Sequence, residues 1–427
     1  QPLNMNLSLS SNSSELRIIY DRFTQEDRLL FGDSGLFVSP NQRYTQTNTL
    51  SFESINIASQ HQTQINSDWL THTKVTFTKQ KPWNADSQYN QTLKRDTQRW
   101  RFDMNTQYNF SNLSNLALGI MYYTESEEIS ESYLFDPNTR FNGKHSISQD
   151  DRALYLQYEA DTQWASFTIG GRYENHDAAG SHFLPRIAIT KTIDAFHGKL
   201  VYNKAFKIPQ FDTLASAENA GQPITETELS TTSEIELGYR INNEMNLSGN
   251  LYYLNIDNYI GFNPVTASNA TLGDFSAYGN EIEFNWITSS FQVHTSYSLF
   301  LIDKNNIDAI SVTGKADAVL GIPNHMIKLN TQYNLSAEDS VHINGSVISS
   351  RYACVEDNNL ICGTPKRLQE EYDFNGFYRH SHSGLNYNLG IANIFDTKTK
   401  YVQPYRGSQA PIPGLGRRLM FDIQYEF

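Results

Sequence analysis

The last ten residues, Arg418 to Phe427, read RLMFDIQYEF. Leu419, Phe421, Ile423, Tyr425 and Phe427 fall on one face of an extended chain, and Met420, Asp422, Gln424 and Glu426 fall on the other. The stretch is therefore a period-two strand with one apolar and one mainly polar side, ending on an aromatic carboxy terminus. A sheet made of such strands buries its apolar face in a sandwich or turns it outward as a closed barrel in lipid.

The same alternation recurs along the whole chain. Leu3, Met5, Leu7 and Leu9 open it, followed by Leu16, Ile18 and Tyr20, then Trp100, Phe102 and Met104, then Ile235, Leu237, Tyr239 and Ile241. Phe291, Val293, Tyr297 and Leu299 repeat it, as do Ile327, Leu329 and Tyr333, and Leu385, Tyr387, Leu389 and Ile391. The intervening positions are polar, such as Arg101, Asp103 and Asn105 in one strand and Lys328, Asn330 and Gln332 in another. The segments number roughly nineteen, an odd count for a bacterial single-chain barrel, so the chain is expected to begin partway through one.

The connections decide between sandwich and barrel. Short turns are expected near Ser11–Ser13, Ser111–Asn115, Asp161–Gln163, Thr192–Ala195, Asn242–Asn246, Thr288–Ser290, Ser336–Asp339 and His380–Ser383, with a somewhat longer one near Gln60–Asp68. Long loops fall between them, near Thr24–Tyr44, Gln80–Thr97, Glu127–Ser146, Lys207–Ser230, Asp257–Ala277, Asp303–Asn324, Arg351–Glu371 and Asp396–Gly416, with a brief exception around Asn175–His182. Strict alternation of short and long is the habit of outer-membrane barrels, whose periplasmic turns are short and external loops long. Tyr108, Phe110, Tyr158, Trp164, Tyr239, Tyr333, Tyr425 and Phe427 stand beside the short turns, where a membrane interface collects aromatic rings. The expected fold is all-β: a transmembrane antiparallel up-and-down barrel of about 19 strands.

Composition agrees and excludes other classes. The 427 residues carry 24 Phe and 25 Tyr but only 19% charged residues, and no apolar run reaches the length of a membrane helix. The net charge of −13 argues against nucleic acid, whose phosphates call for clustered Lys and Arg. No nucleophile elbow, HExxH or phosphate-cradling glycine loop occurs, so no catalytic residues, enzyme activity or resident metal or cofactor is expected. Asp150 and Asp151 are expected at a solvated strand end rather than in a calcium site.

Four stretches resemble TonB-dependent outer-membrane receptors, in the family's order. FLPRI at Phe183–Ile187 followed by KLVYNKAFKIP at Lys199–Pro209 is similar to a PR-containing strand and a later GFRAP-like element. ETELSTTSEIELGYR at Glu226–Arg240 resembles the NPNLKPE-type segment, GIANIFDTKTK at Gly390–Lys400 resembles the penultimate strand with its NLFD signature, and Pro413–Phe427 resembles the closing strand. The resemblance implies a barrel of about 22 strands around an amino-terminal plug, with residues 1–427 as its barrel portion and the plug and first strands outside the chain as given. It implies a bacterial outer-membrane location, contact with lipid and lipopolysaccharide, and energy from the TonB–ExbB–ExbD complex acting through the plug.

The implied function is TonB-dependent uptake of a ferric siderophore or similar Fe(III) chelate. Uptake of cobalamin, haem or an oligosaccharide, a passive porin, and a soluble all-β binding module are the alternatives. Haem receptors of the family resemble one another in a His between the FRAP-like and NPNL-like elements, and Lys207–Leu229 contains none. Loop residues of a type suited to a siderophore are Trp83, Tyr133, Phe135, Arg140, Arg351, Tyr352, Tyr372, Tyr405 and Arg406. Cys354 and Cys362, the only cysteines, flank VEDNNLI within one loop and in an oxidising compartment are expected to form a disulfide.

Overall fold

A computed structural model describes residues 2–27, 48–86, 93–132, 146–221, 224, 226–263, 266, 268–354, 365–402 and 411–425. Its wall strands are β1 (Leu3–Ser10), β2 (Ser14–Asp27), β3 (Asn48–Asn66), β4 (Trp69–Asp86), β5 (Leu93–Ser111), β6 (Ser114–Ser132), β7 (Ser146–Asp161), β8 (Ser166–His176), β9 (Gly180–Ile193) and β10 (Phe196–Lys207). They continue as β11 (Glu228–Arg240), β12 (Met245–Asn263), β13 (Ser268–Ile287), β14 (Phe291–Asn305), β15 (His325–Asn334), β16 (Asp339–Ile348), β17 (Glu371–His382), β18 (Leu385–Ala392) and β19 (Arg418–Tyr425). Each pairs antiparallel with its successor from β1 to β7 and from β9 to β19. With β8 they make one 19-stranded sheet, the meander expected from the pattern.

Residues directly opposite across a ladder share a face, so the registers sort the side chains. Leu389 stands opposite Phe421, and Leu385 opposite Tyr425, all on the apolar side. That side has no protein layer over it: Leu419 is 81% exposed, Phe421 65% and Ile423 60%. An apolar surface this continuous is stable against hydrocarbon and unstable in water. At the short turns Tyr108, Phe110 and Tyr158 of the expected belt meet one another and Trp69, with Trp69 edge-on to Tyr108 at 6.0 Å, Tyr108 to Phe110 at 5.0 Å and Phe110 to Tyr158 at 6.4 Å.

Several boundaries differ from the sequence expectation. The turn placed at Gln60–Asp68 is tight, because β3 runs on to Asn66 and β4 starts at Trp69. The segments 80–97 and 257–277 are largely strand: β4 continues to Asp86, β12 to Asn263, and β13 starts at Ser268. Their polar composition marks strands that outgrow the apolar band, where both faces can be hydrophilic. Segment 207–230 holds a helix, α1 (Phe211–Asn219), the only α-helix among the described residues.

The chain divides into two compact units, one of residues 1–161, 168–185 and 208–227, the other of 162–167, 186–207 and 228–427. In the first, Ile208 packs on buried Met121, Tyr123 and Ala153, and Phe211 and Ala215 pack with Ile147. In the second, Phe275, Ala277, Ile307 and Val319 form one small core, and Val312, Leu320 and Cys354 with Tyr352 form another.

Candidate functional site: polar face and loop assemblies

The polar face of the first unit is built in rows. Arg101, Tyr123 and Asp151 stand opposite one another across β5, β6 and β7, and Arg99, Glu125 and Gln149 form the next row toward the loops. Arg99 donates to Glu125 at 2.6 Å and lies 5.0 Å above the Tyr123 ring, while Arg101 forks onto Asp103 with two bonds of 2.7 Å. A cavity of about 880 Å³ opens on this face nearer the turns, lined by residues such as Glu15, His72, Lys74, Arg99, Arg101 and Asp103. So polar a surface can be wetted or can seat another polar body.

Beside these rows lies a site that sequence reasoning missed. Asp151 is fully buried, which corrects the expectation of a solvated strand end. Its oxygens make no well-formed hydrogen bond; they face the carboxyl of Glu174, itself held by Arg172, and the backbone of Arg152. A carboxyl–carboxyl contact bonds only with one proton between the two groups. His176 is also buried, its Nδ1 accepting from the Ala178 and Ala179 amides at 3.1 and 3.3 Å. The ring nitrogen that accepts is unprotonated, so the neutral imidazole carries its hydrogen on Nε2, which has no partner among the described residues. The segment Ile208–Thr227 packs on this wall and is tied down at its far end, where Thr227 Oγ1 donates to the Ala179 carbonyl at 2.5 Å. Ile208, Phe211 and Ala215 stand three and four residues apart, the helical signal that could have revealed it.

In the second unit the resembling motifs turn out to be knots at strand ends. Lys207, in KLVYNKAFKIP, reaches Glu228 of ETELSTTSEIELGYR at 3.0 Å and the Ile260 carbonyl at 3.1 Å. Glu228 also accepts the Ile260 amide at 2.7 Å. In GIANIFDTKTK, Asn393 adopts a left-handed φ of 52°, accepts the Thr397 amide at 2.8 Å and donates to the Thr397 and Leu415 carbonyls. Asp396 accepts the Arg417 amide at 2.8 Å, so the motif fixes where β18 ends and β19 begins.

Three of the anticipated ligand residues have described side chains: Arg351, Tyr352 and Tyr372. Arg351 and Tyr352 sit in a two-stranded ribbon, Arg351–Ala353 with Lys366–Leu368. Arg351 is buried, donating to Glu371 at 3.0 Å and to the Lys400 carbonyl at 2.7 Å, and Glu371 accepts the Lys400 amide at 3.0 Å. Tyr352 packs on the core that holds Cys354, and the Tyr352 carbonyl accepts the Gly321 amide at 2.8 Å. Three loops are thereby stitched together. Tyr372 stands in β17 opposite Val347, is 46% exposed, and shares the outward parity of Phe374 and Tyr378. Tyr133, Phe135, Arg140, Tyr405, Arg406 and the side chain of Trp83 lie outside the described residues, as does Cys362. No described cysteine is free.

The family model described as "TonB dependent receptor-like, beta-barrel" matches residues 3–408. The chain belongs to that family. This TonB-dependent receptor barrel is thus a bacterial outer-membrane transporter and not an enzyme. Its fold matches the siderophore receptor PirA of Acinetobacter baumannii with a TM-score of 0.74 at 14% identity, covering 100% of this chain and 71% of that one. The F3-3 variant of the FrpB iron transporter of Neisseria meningitidis gives 0.70 at 13% identity, covering 100% and 71%. The ferric-catecholate import receptor Fiu of Escherichia coli K12 gives 0.66 at 15%, covering 97% and 72%. A search of curated proteins finds no match.

Proposed function

We propose that this receptor barrel imports a ferric siderophore or a similar Fe(III) chelate, driven by the TonB–ExbB–ExbD complex through a plug domain carried outside residues 1–427. The observation that carries this is the loop assembly of the second unit, pinned by the buried Arg351 through Glu371 and the Lys400 backbone. A receptor needs its contact groups held in place before cargo arrives. Kinship in fold with receptors named for siderophores and ferric catecholates supports the same reading.

In this reading Trp83, Tyr133, Phe135, Arg140, Tyr352, Tyr405 and Arg406 offer aromatic and cationic contacts to the chelate. Arg351 positions the ribbon that carries Tyr352, and Tyr372 stands on the outward face of β17. The lipid-facing wall meets phospholipid and lipopolysaccharide. Cys354 is joined to Cys362, closing the seven residues VEDNNLI between them and lowering the entropy of a loop that must present a surface.

The test is growth of a deletion strain on a panel of iron sources, with complementation. Loss of growth on one siderophore and recovery with the gene is the expected result. Unimpaired growth on every siderophore, together with loss of cobalamin or oligosaccharide uptake, overturns the assignment.

A further inference from the structure

On the outward face of β9–β13 the registers give five-strand rows. Nearest the short turns is Ile193–Phe196–Tyr239–Leu247–Phe284; next comes Lys191–Gly198–Leu237–Gly249–Ile282; then Ile189–Leu200–Ile235–Leu251–Asn280. In the middle row Leu237, 64% exposed, rises between two glycines. The bare backbone on either side leaves an apolar furrow of about 630 Å³ bounded by Ile193, Phe196, Tyr239, Leu251 and Ile282. A second hollow of about 540 Å³ shares Ile235 and Leu251 with it and continues toward Tyr202 and Tyr253.

The two glycines are not explained by the protein's own packing. Neither has a left-handed φ, and a Cβ at Gly198 would come only to 3.5 Å from Leu237, one at Gly249 to 3.8 Å from the Glu281 carbonyl. Both are ordinary contacts. Neighbouring glycines behave differently: a Cβ at Gly238 would lie 1.8 Å from the His197 ring, and one at Gly279 2.2 Å from the Leu299 carbonyl. Glycine weakens a strand and exposes its backbone, and where internal packing does not demand it, close approach of a ligand is the remaining structural reason.

The furrow's surroundings identify that ligand. It is continuous with the lipid-facing wall and begins at the turn-side aromatic belt, where Phe196 and Tyr239 lie 4.4 Å apart. Lys191 flanks Gly198 in the same row, and its ammonium reaches the Gln163 carbonyl in the β7–β8 turn at 2.7 Å, at headgroup height. An apolar slot in the hydrocarbon with a cation at its interfacial end matches a chain and a phosphodiester in one molecule. We propose that this furrow is a docking site for a glycerophospholipid of the turn-side leaflet, with an acyl chain along Gly198, Leu237 and Gly249 and the phosphate near Lys191.

Native mass spectrometry of the full-length receptor, delipidated in detergent and titrated with phosphatidylglycerol, tests this. The wild type is expected to retain one phospholipid, the Gly198→Leu/Gly249→Leu variant to bind at least ~10-fold more weakly, and Lys191→Gln to weaken phosphatidylglycerol binding. Gly198→Ala, whose added methyl fits without displacement, keeps the test valid if the double variant misfolds, and should also weaken retention. Equal retention by wild type and Gly198→Ala, or a preference for lipid A over phosphatidylglycerol that survives Lys191→Gln, overturns the proposal.

Discussion

Lys207 and Glu228 meet at 3.0 Å across the point where β10 leaves the wall and β11 returns to it. Each belongs to a different stretch by which the chain resembles its family, and the Glu228 carboxylate additionally holds the Ile260 amide. The two motifs are thus one structural device, a clamp binding three neighbouring strands.

Glu228→Ala should open that clamp. It removes the acceptor of a mostly buried amide and of an ammonium, a loss of about 1–3 kcal/mol for the groups left unpaired. Hydrogen exchange at Ile260 should accelerate by one to two orders of magnitude, with the wall strands near the short turns unchanged.

Phe211→Ala should loosen α1 from the wall. The ring is 7% exposed and shares its small core with Ala215 and Ile147, so truncation should cost about 3–5 kcal/mol of the docking of this segment. A helix of nine residues does not persist alone. Amide protection over 211–219 should therefore vanish while that of β6 and β7 remains.

Asp151→Asn is expected to stabilise the same region. The wild-type carboxyl is buried against Glu174 and can bond it only by keeping a proton, whereas the amide supplies an N–H to that neighbour at any pH. A gain of about 1–3 kcal/mol, read as slower exchange at Asp151–Ala153 and 211–219, is the expected outcome. A loss of protection would show that the acid group is needed there in its charged form.

Asp339, at the β15–β16 turn outside the membrane span, gives an acid-side prediction. The Tyr378 hydroxyl, His380 and Ser336 all bond its carboxylate and hold it down at about 2, below the usual value of 3.8. A depressed carboxylate stabilises the fold fully above its unfolded value, and that contribution is lost as pH falls from about 4 toward 2. Carboxyl NMR should place the midpoint near 2, and Asp339→Asn should remove this part of the acid sensitivity of the turn.

Much of this protein is written in residue order. Alternation fixed which residues of β19 face outward, because a strand's side chains point to opposite sides whatever surrounds them, and Leu419, Phe421 and Ile423 are as exposed as that pattern demands. The spacing of short turns and the rings beside them located the membrane edge. Sequence could not show that Arg351 is a buried pin, that Asn393 ties β18 to β19, or that Asp151 is sealed from solvent. Those outcomes depend on partners 20 or more residues distant, such as Glu371, Leu415 and Glu174, and on backbone groups that carry no sequence signature. Local periodicity is a property of one strand, and composition locates the wall. Burial and pairing are properties of neighbours, which only the tertiary structure supplies.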